Sequence, residues 1–166
     1  MMDSVDDSAK RSGVTPLRYR LRLAPALAAG TFAGDLSVDL AVDASDATLT
    51  LDTLDLDIEA AWIDGAPADW RQDGEKLVVT PPALLGDTAV LRLTYAGRLS
   101  DTPRGLYRGE GFVASQLQPD HARRVFPCVD APAFRAVLDL SVTVPDGWIA
   151  ISNAAVAGNR DGGVRD

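Results

Sequence analysis

One cysteine and one histidine are all that the 166 residues contain of either type. With Cys128 alone no disulfide can form within the chain, and nothing in the sequence signals an oxidising compartment. With His121 alone the H-E-x-x-H arrangement cannot be built, because it needs two imidazoles one helical turn apart on one zinc and a glutamate that activates water. One histidine and one cysteine do not close a zinc site without an unusual set of carboxylates. His121, between Asp120 and Ala122, reads as a surface or loop histidine. Cys128, between Pro127 and Val129, reads as a small buried hydrophobe with no base beside it.

Other absences narrow the field further. The chain has no G-x-x-x-x-G-K-[ST] loop, no G-x-G-x-x-G fingerprint after a strand and no G-x-S-x-G elbow, so phosphate cradling and serine acyl transfer have no support. Basic residues are in deficit: the net charge is −8 and the pI about 4.5, which disfavours nucleic acid as a partner. No segment approaches the roughly 18 apolar residues of a membrane span. The opening MMDSVDDSAKRS is acidic and polar where a secretory signal would be basic and then apolar. A soluble, cytoplasmic protein is the expectation, with neither nucleic acid nor membrane as partner. Aromatics make up 6%, too few to suggest a carbohydrate platform, and Trp62, Trp70 and Trp148 read as packing residues. No amphipathic helix of three turns is evident.

What the chain does have is alternation. Leu17, Tyr19, Leu21 and Leu23 alternate with Arg18, Arg20 and Arg22, the period of a strand with one wet face. The pattern returns in Phe32, Leu36, Val38, Leu40 and Val42, in Leu49 and Leu51, and from Leu54 through Trp62. Asp64-Gly65 and Asp73-Gly74 are turn dipeptides, since glycine accepts a positive φ without a Cβ clash, and they predict two successive hairpins. Pro81-Pro82 interrupts pairing for want of amide hydrogens. Further runs are Ala89–Tyr95, Phe112–Leu117, Leu138–Val144 and Trp148–Ile151. Most aspartates fall on the wet faces of these strands or in turns, where solvated charge is the ordinary explanation. Many short alternating segments divided by Gly, Pro and Asp describe an all-β sandwich, mostly antiparallel and with short loops. Residues 1–13 read as a flexible leader and 14–166 as one β domain. The tail AAVAGNRDGGVRD suits a turn or hairpin tip more than a finishing strand, so the carboxyl end reads as cut short, with a strand edge left open.

The informative stretch is Tyr95–Asn153, centred on SQLQPDHARRVFPCVDAPAF at residues 115–134. It is irregular and dense in polar groups between two strand patterns, where a scaffold presents contacts. YAGRLSDTPRGLYR (95–108) resembles the "strand, then Gly-[Phe/Leu]-Tyr-Arg" passage of the aminopeptidase N (gluzincin zinc aminopeptidase) family. Residues 115–134 are similar to that family's Thr-Gln-x-Glu, Ala-Arg, Phe-Pro-Cys-x-Asp-x-Pro-x-Phe string, and VPDGWIAISN to the strand that follows. TPLRYRLRLAP and FAGDLSVDLAV look like the family's first two strands, so the resemblance covers about residues 14–158.

The resemblance implies a non-catalytic, saddle-like amino-terminal domain packed against a thermolysin-like catalytic domain. That catalytic domain carries the zinc, the G-x-M-E-N motif and H-E-x-x-H, all absent from this chain. The implied parent is a zinc-dependent aminopeptidase that removes amino-terminal residues from peptides; this chain alone has no catalytic residue, no metal ligand and no cofactor. In relatives the second polar residue of Thr-Gln-x-Glu helps hold the peptide substrate's free α-amino group, and that position is Gln118. Gln116 matches the family's Gln, beside the pocket for the substrate's first side chain. Most relatives carry Glu where this chain has Gln118. A carboxylate makes a charge-assisted bond to an ammonium, whereas an amide offers only its carbonyl oxygen, so the amine contact is expected to be weaker here. Read from the residues alone, Gln116 and Gln118 would bond loop backbone instead. Arg123 and Arg124 suit salt bridges to a partner domain or to Asp130, and Asp130 suits a cap or Asx-turn that holds the loop. The alternative reading is a stand-alone β-sandwich module that binds protein or peptide without enzymatic activity.

Overall fold

The computed structural model describes residues 13–131, 134–160 and 164–165. The leader read at 1–13 therefore lies, Gly13 excepted, outside the described residues. The strands in chain order are β1 (Val14–Ala26), β2 (Thr31–Val42), β3 (Leu49–Asp52), β4 (Leu56–Ile63), β5 (Ala66–Pro67), β6 (Asp69–Asp73), β7 (Lys76–Thr80), β8 (Thr88–Arg98), β9 (Gly105–Gly109), β10 (Phe112–Gln116), β11 (Val137–Thr143), β12 (Asn159–Arg160) and β13 (Val164–Arg165). Among the described residues the only helical piece is a 3-10 turn at Ala122–Arg124.

The chain is an all-β sandwich. Eight strands form one sheet in the order β12-β13-β11-β1-β2-β8-β4-β5, three form a second in the order β3-β7-β6, and β9 and β10 form a separate ribbon. Pairing is antiparallel except between β1 and β11, which run parallel and close the long excursion from β2 to the polar loop. The inward faces of the two larger sheets meet in one core: Leu36, Val38, Leu91 and Leu93 from the first, Leu49, Leu51, Leu77 and Val79 from the second, each at most 3% exposed. Burying each such side chain contributes about 1.5–3 kcal/mol, so these eight carry much of the fold. On the wet face Arg20 forks onto Asp39 with two 2.7 Å contacts, Arg92 reaches Asp35 at 2.7 Å, and Arg92 also lies over Trp62, 5.5 Å from the ring centre.

Two bulges adjust the alternation. The register shifts between Pro16 and Arg18, so Val14 and Pro16 point inward with Tyr19, Leu21 and Leu23, while Leu17 is 49% exposed. A second shift between Ile58 and Ala60 turns Ala61 and Ile63 into the core and Trp62 outward. An extra residue in one strand of a pair reverses the side on which every later side chain falls. Leu17 and Trp62 thus leave the faces that unbroken alternation assigns them.

Asp64-Gly65 forms the two-residue turn between β4 and β5, both residues at positive φ. The next hairpin turns one residue later than expected, through Gly74-Glu75, because Asp73 still pairs with Lys76. The run Trp148–Ile151 is not a strand. No described strand pairs with it, and without a ladder its alternation leaves Ile149 and Ile151 76% and 92% exposed. The tail does form a hairpin-like pair, β12 on β13 at the sheet edge.

Candidate functional site

Strand β10 ends at Gln116, opposite Gly105 of β9. The chain then leaves the ribbon. Leu117 packs against the core, and its inward turn leaves Gln116 and Gln118 on either side exposed to solvent. The Gln118-Pro119 peptide is cis. His121 N–H donates back to the Leu117 carbonyl at 2.8 Å, closing the tip of the loop, and Arg124 N–H donates to the His121 carbonyl at 3.1 Å as the 3-10 turn begins. Both glutamines therefore stand on an exposed loop whose backbone is tied at its root.

The returning limb is anchored to both sheets. On the larger sheet, the buried Tyr95 hydroxyl donates to the Val125 carbonyl at 2.9 Å, and the Tyr19 hydroxyl accepts the Val129 N–H at 3.2 Å. Tyr19 also meets Phe126 edge to face at 5.8 Å. Burial, with nearby Asp charges, pushes both phenols well above the ordinary tyrosine range, so they act as neutral hydrogen-bonding groups. On the smaller sheet, Asp52 and Cys128 exchange backbone bonds of 2.7 and 3.1 Å, and Leu54 N–H donates to the Arg123 carbonyl at 2.9 Å.

A charged cluster fills the angle between loop and smaller sheet. Arg123 Nε donates to Asp130 Oδ2 at 3.0 Å, its Nη1 to Glu75 Oε2 at 3.2 Å, and its Nη2 to the Asp130 carbonyl at 3.3 Å. Asp130 Oδ2 also accepts the Arg123 N–H at 3.2 Å, so Asp130 caps the 3-10 turn from across the loop. Asp52 receives Lys76 Nζ at 2.6 Å on one oxygen and the Asp130 N–H at 3.0 Å on the other. Burial alone would push the Arg123 pKa down, but Asp130, Asp52 and Glu75 outweigh it and hold the guanidinium above its ordinary value. Arg124 pairs instead with Asp55. Both arginines are thus held within the chain.

Asp52, Glu75, Lys76, Tyr19 and Tyr95 escape sequence reasoning as supports of this loop. Their partners lie 24 to 110 residues away along the chain, and no local spacing links them. The one available signal is Asp52 itself, a charged residue closing the apolar strand β3 at 8% exposure.

Among the described residues no group of three or more His, Cys, Asp or Glu is placed to hold an ion, and His121 Nδ1 lies 3.4 Å from Asp120 Oδ1. Cys128 is buried, and desolvation with the charges of Asp130 and Asp52 pushes its thiol well above the ordinary range, the opposite of nucleophile activation. Among the described residues no helix is long and apolar enough to cross a membrane.

The described residues form an all-β sandwich that presents one polar loop braced from both of its larger sheets. The Peptidase M1 N-terminal domain family matches residues 15–163, and the chain belongs to that family. It is 38% identical over 157 residues to aminopeptidase M1-C of Oryza sativa subsp. japonica, spanning 86% of this chain and 18% of that protein. It is 30% identical over 165 residues to aminopeptidase M1 of Arabidopsis thaliana, again 18% of that protein's length. The M1 zinc metallopeptidase of Deinococcus radiodurans, solved with a Tyr-Ser-Ala substrate, superposes with a TM-score of 0.78 at 27% identity, covering 92% of this chain and 38% of that one. Yeast LTA4 hydrolase shares the fold, with a TM-score of 0.80 at 24% identity. The chain thus spans less than a fifth of the plant aminopeptidases it matches. The described residues bring together no donor set that fits a zinc centre.

Proposed function

We propose that this chain serves as the non-catalytic amino-terminal domain of a zinc metallo-aminopeptidase that removes amino-terminal residues from peptides, and that the loop at Gln116–Asp120 forms part of the substrate cleft. The body from Val14 onward would work against a thermolysin-like catalytic domain that supplies the zinc and the hydrolytic groups. The observation that carries this reading is the loop. Two uncharged polar side chains stand exposed on a backbone tied to both sheets, the arrangement a recognition element needs. Gln118 would accept a hydrogen bond from the substrate's ammonium through its amide oxygen, and Gln116 would line the pocket for the first side chain. The similarity to a metallopeptidase solved with a tripeptide supports a peptide as the substrate.

The test compares the purified chain with the same chain joined to an M1 catalytic domain. The chain alone is expected to bind no stoichiometric zinc and to leave aminoacyl reporter substrates intact, while the joined protein turns them over. Zinc-dependent turnover by the chain alone would refute the proposal.

A second reading, a stand-alone sandwich that binds protein or peptide, draws on an open apolar groove of about 210 Å³ between β10 and β11. Leu138, Leu140 and Trp148 line it, and the first two are 45% and 37% exposed. The two readings separate by joining to the catalytic domain. An accessory domain loses exposure of the loop at Gln118 when joined; a stand-alone module keeps it.

A further inference from the structure

The charged cluster at the root of the loop is more elaborate than anchoring a surface turn requires. Asp52 already has Lys76 as its counter-ion at 2.6 Å, so Arg123 is not needed to neutralise it; Arg123 Nη1 stays 3.9 Å from Asp52 Oδ1. What Arg123 does is geometric. Three different nitrogens of one planar guanidinium are committed in three directions: to the Asp130 side chain, to the Asp130 carbonyl and to Glu75. Its backbone is held too, N–H on Asp130 Oδ2 and carbonyl on Leu54 N–H. The side chain is only 17% exposed and Asp130 only 12%, so solvent screens this contact far less than the pairs on the sheet's wet face.

Between this fixed point and Gln118 the chain has little slack. The 3-10 turn follows directly on His121, whose N–H closes onto Leu117, and Leu117 is itself packed on the core. Gln118 lies inside that closed turn, five residues from Arg123. A shift of the Arg123 backbone is therefore passed to Gln118 rather than absorbed.

We propose that Arg123 is a positioning residue for substrate capture, its guanidinium locking Asp130 and Glu75 around the loop root so that Gln118 is presented at one fixed place. This rests on the reading of Gln118 as the contact to the substrate's amino group. Lysine cannot substitute. Its ammonium is a single point from which three bonds cannot reach a carboxylate, a carbonyl and a second carboxylate in the plane that guanidinium spans.

The experiment uses the chain joined to a catalytic domain and two variants. Arg123→Lys keeps the charge and loses the fork; Glu75→Gln keeps an acceptor but turns one of the three contacts from charge-assisted to neutral, at a side chain that is 55% exposed, where folding is little at risk. Arg123→Lys is expected to raise KM for a free-amine reporter about tenfold with kcat within about twofold, as misplacement of a binding group does. Glu75→Gln should raise it about twofold in the same pattern. Amide exchange at His121, read on the same proteins, should quicken about tenfold in Arg123→Lys while core amides hold. Unchanged His121 exchange, or a fall in kcat at constant KM, overturns the inference. Gln118→Ala is the control. If it raises KM and Arg123→Lys does not, positioning by Arg123 fails while the cleft reading stands; if Gln118→Ala leaves KM unmoved, the cleft reading itself has failed.

Discussion

The ring of Tyr95 lies across the bare backbone of Gly34. The two are cross-strand partners on β8 and β2, and a Cβ built on Gly34 would stand 2.1 Å from Tyr95 Cζ. The missing side chain lets the ring lie down on the sheet and its hydroxyl reach the Val125 carbonyl at 2.9 Å. One glycine on the larger sheet thus makes room for an anchor of the loop's returning limb. Gly34→Ala is expected to force the ring off the sheet and to cost about 1–3 kcal/mol. Tyr95→Phe keeps the ring and leaves a buried carbonyl without its donor, at a cost of about 1–3 kcal/mol. Urea denaturation of both variants checks this, and Tyr95→Phe should also quicken amide exchange in the loop while Leu91 and Leu93 stay protected.

Cys128 gives a prediction with a definite sign. Burial, reinforced by Asp130 and Asp52, raises its thiol pKa in the fold, so the folded state favours the protonated form. A raised folded pKa contributes stability that is fully present below the thiol's unfolded pKa and is lost as pH climbs above it. Urea midpoints should therefore fall between pH 8 and pH 10, and Cys128→Ser should flatten that decline. In the same series an aromatic disulfide reagent should leave the folded thiol untouched and titrate one thiol per chain in urea.

The larger sheet predicts unequal costs for equal-looking leucines, one at its centre on β8 and one in the groove at β11. Leu93 is fully buried between the two larger sheets, and Leu93→Ala should cost about 2–5 kcal/mol through lost burial and the cavity left behind. Leu138 continues the apolar surface of the same sheet but is 45% exposed, and Leu138→Ser should cost only about 0.5 kcal/mol. Binding of a hydrophobic dye to the groove should fall in the second variant and not in the first.

Much of the strand framework is legible in the residues because period-two alternation depends only on which side of a strand a side chain falls. β2 and β8 read directly for that reason, and Asp64-Gly65 marks its turn through the positive φ that glycine permits. Leu17 and Trp62 do not read correctly, since Leu17 is itself the bulged residue of β1 and Trp62 follows the bulge in β4, and one inserted residue leaves no mark in composition. Trp148–Ile151 fails for the opposite reason: the alternation is there but no described strand pairs with it. The loop is legible as a polar interruption, Asp130 as its cap and Arg123 with Asp130 as an ion pair, yet the rest of the clamp is not. Its members come from β3, β7 and the loop, and only folding brings Asp52, Glu75 and Lys76 to Arg123 and Asp130.

The proposed placement of the chain beside a peptide substrate turns on the chemistry of residue 118, and one substitution reads it. Gln118→Glu, made in the chain joined to an M1 catalytic domain, replaces an amide oxygen with a carboxylate where the proposal puts the substrate's ammonium. The measurement is KM for a free-amine reporter at neutral pH. The account predicts a KM lower by about three- to tenfold with kcat little changed, because a charge-assisted bond is roughly twice as strong as a neutral one. A KM that stays where it was, with the variant folded and active, would contradict it.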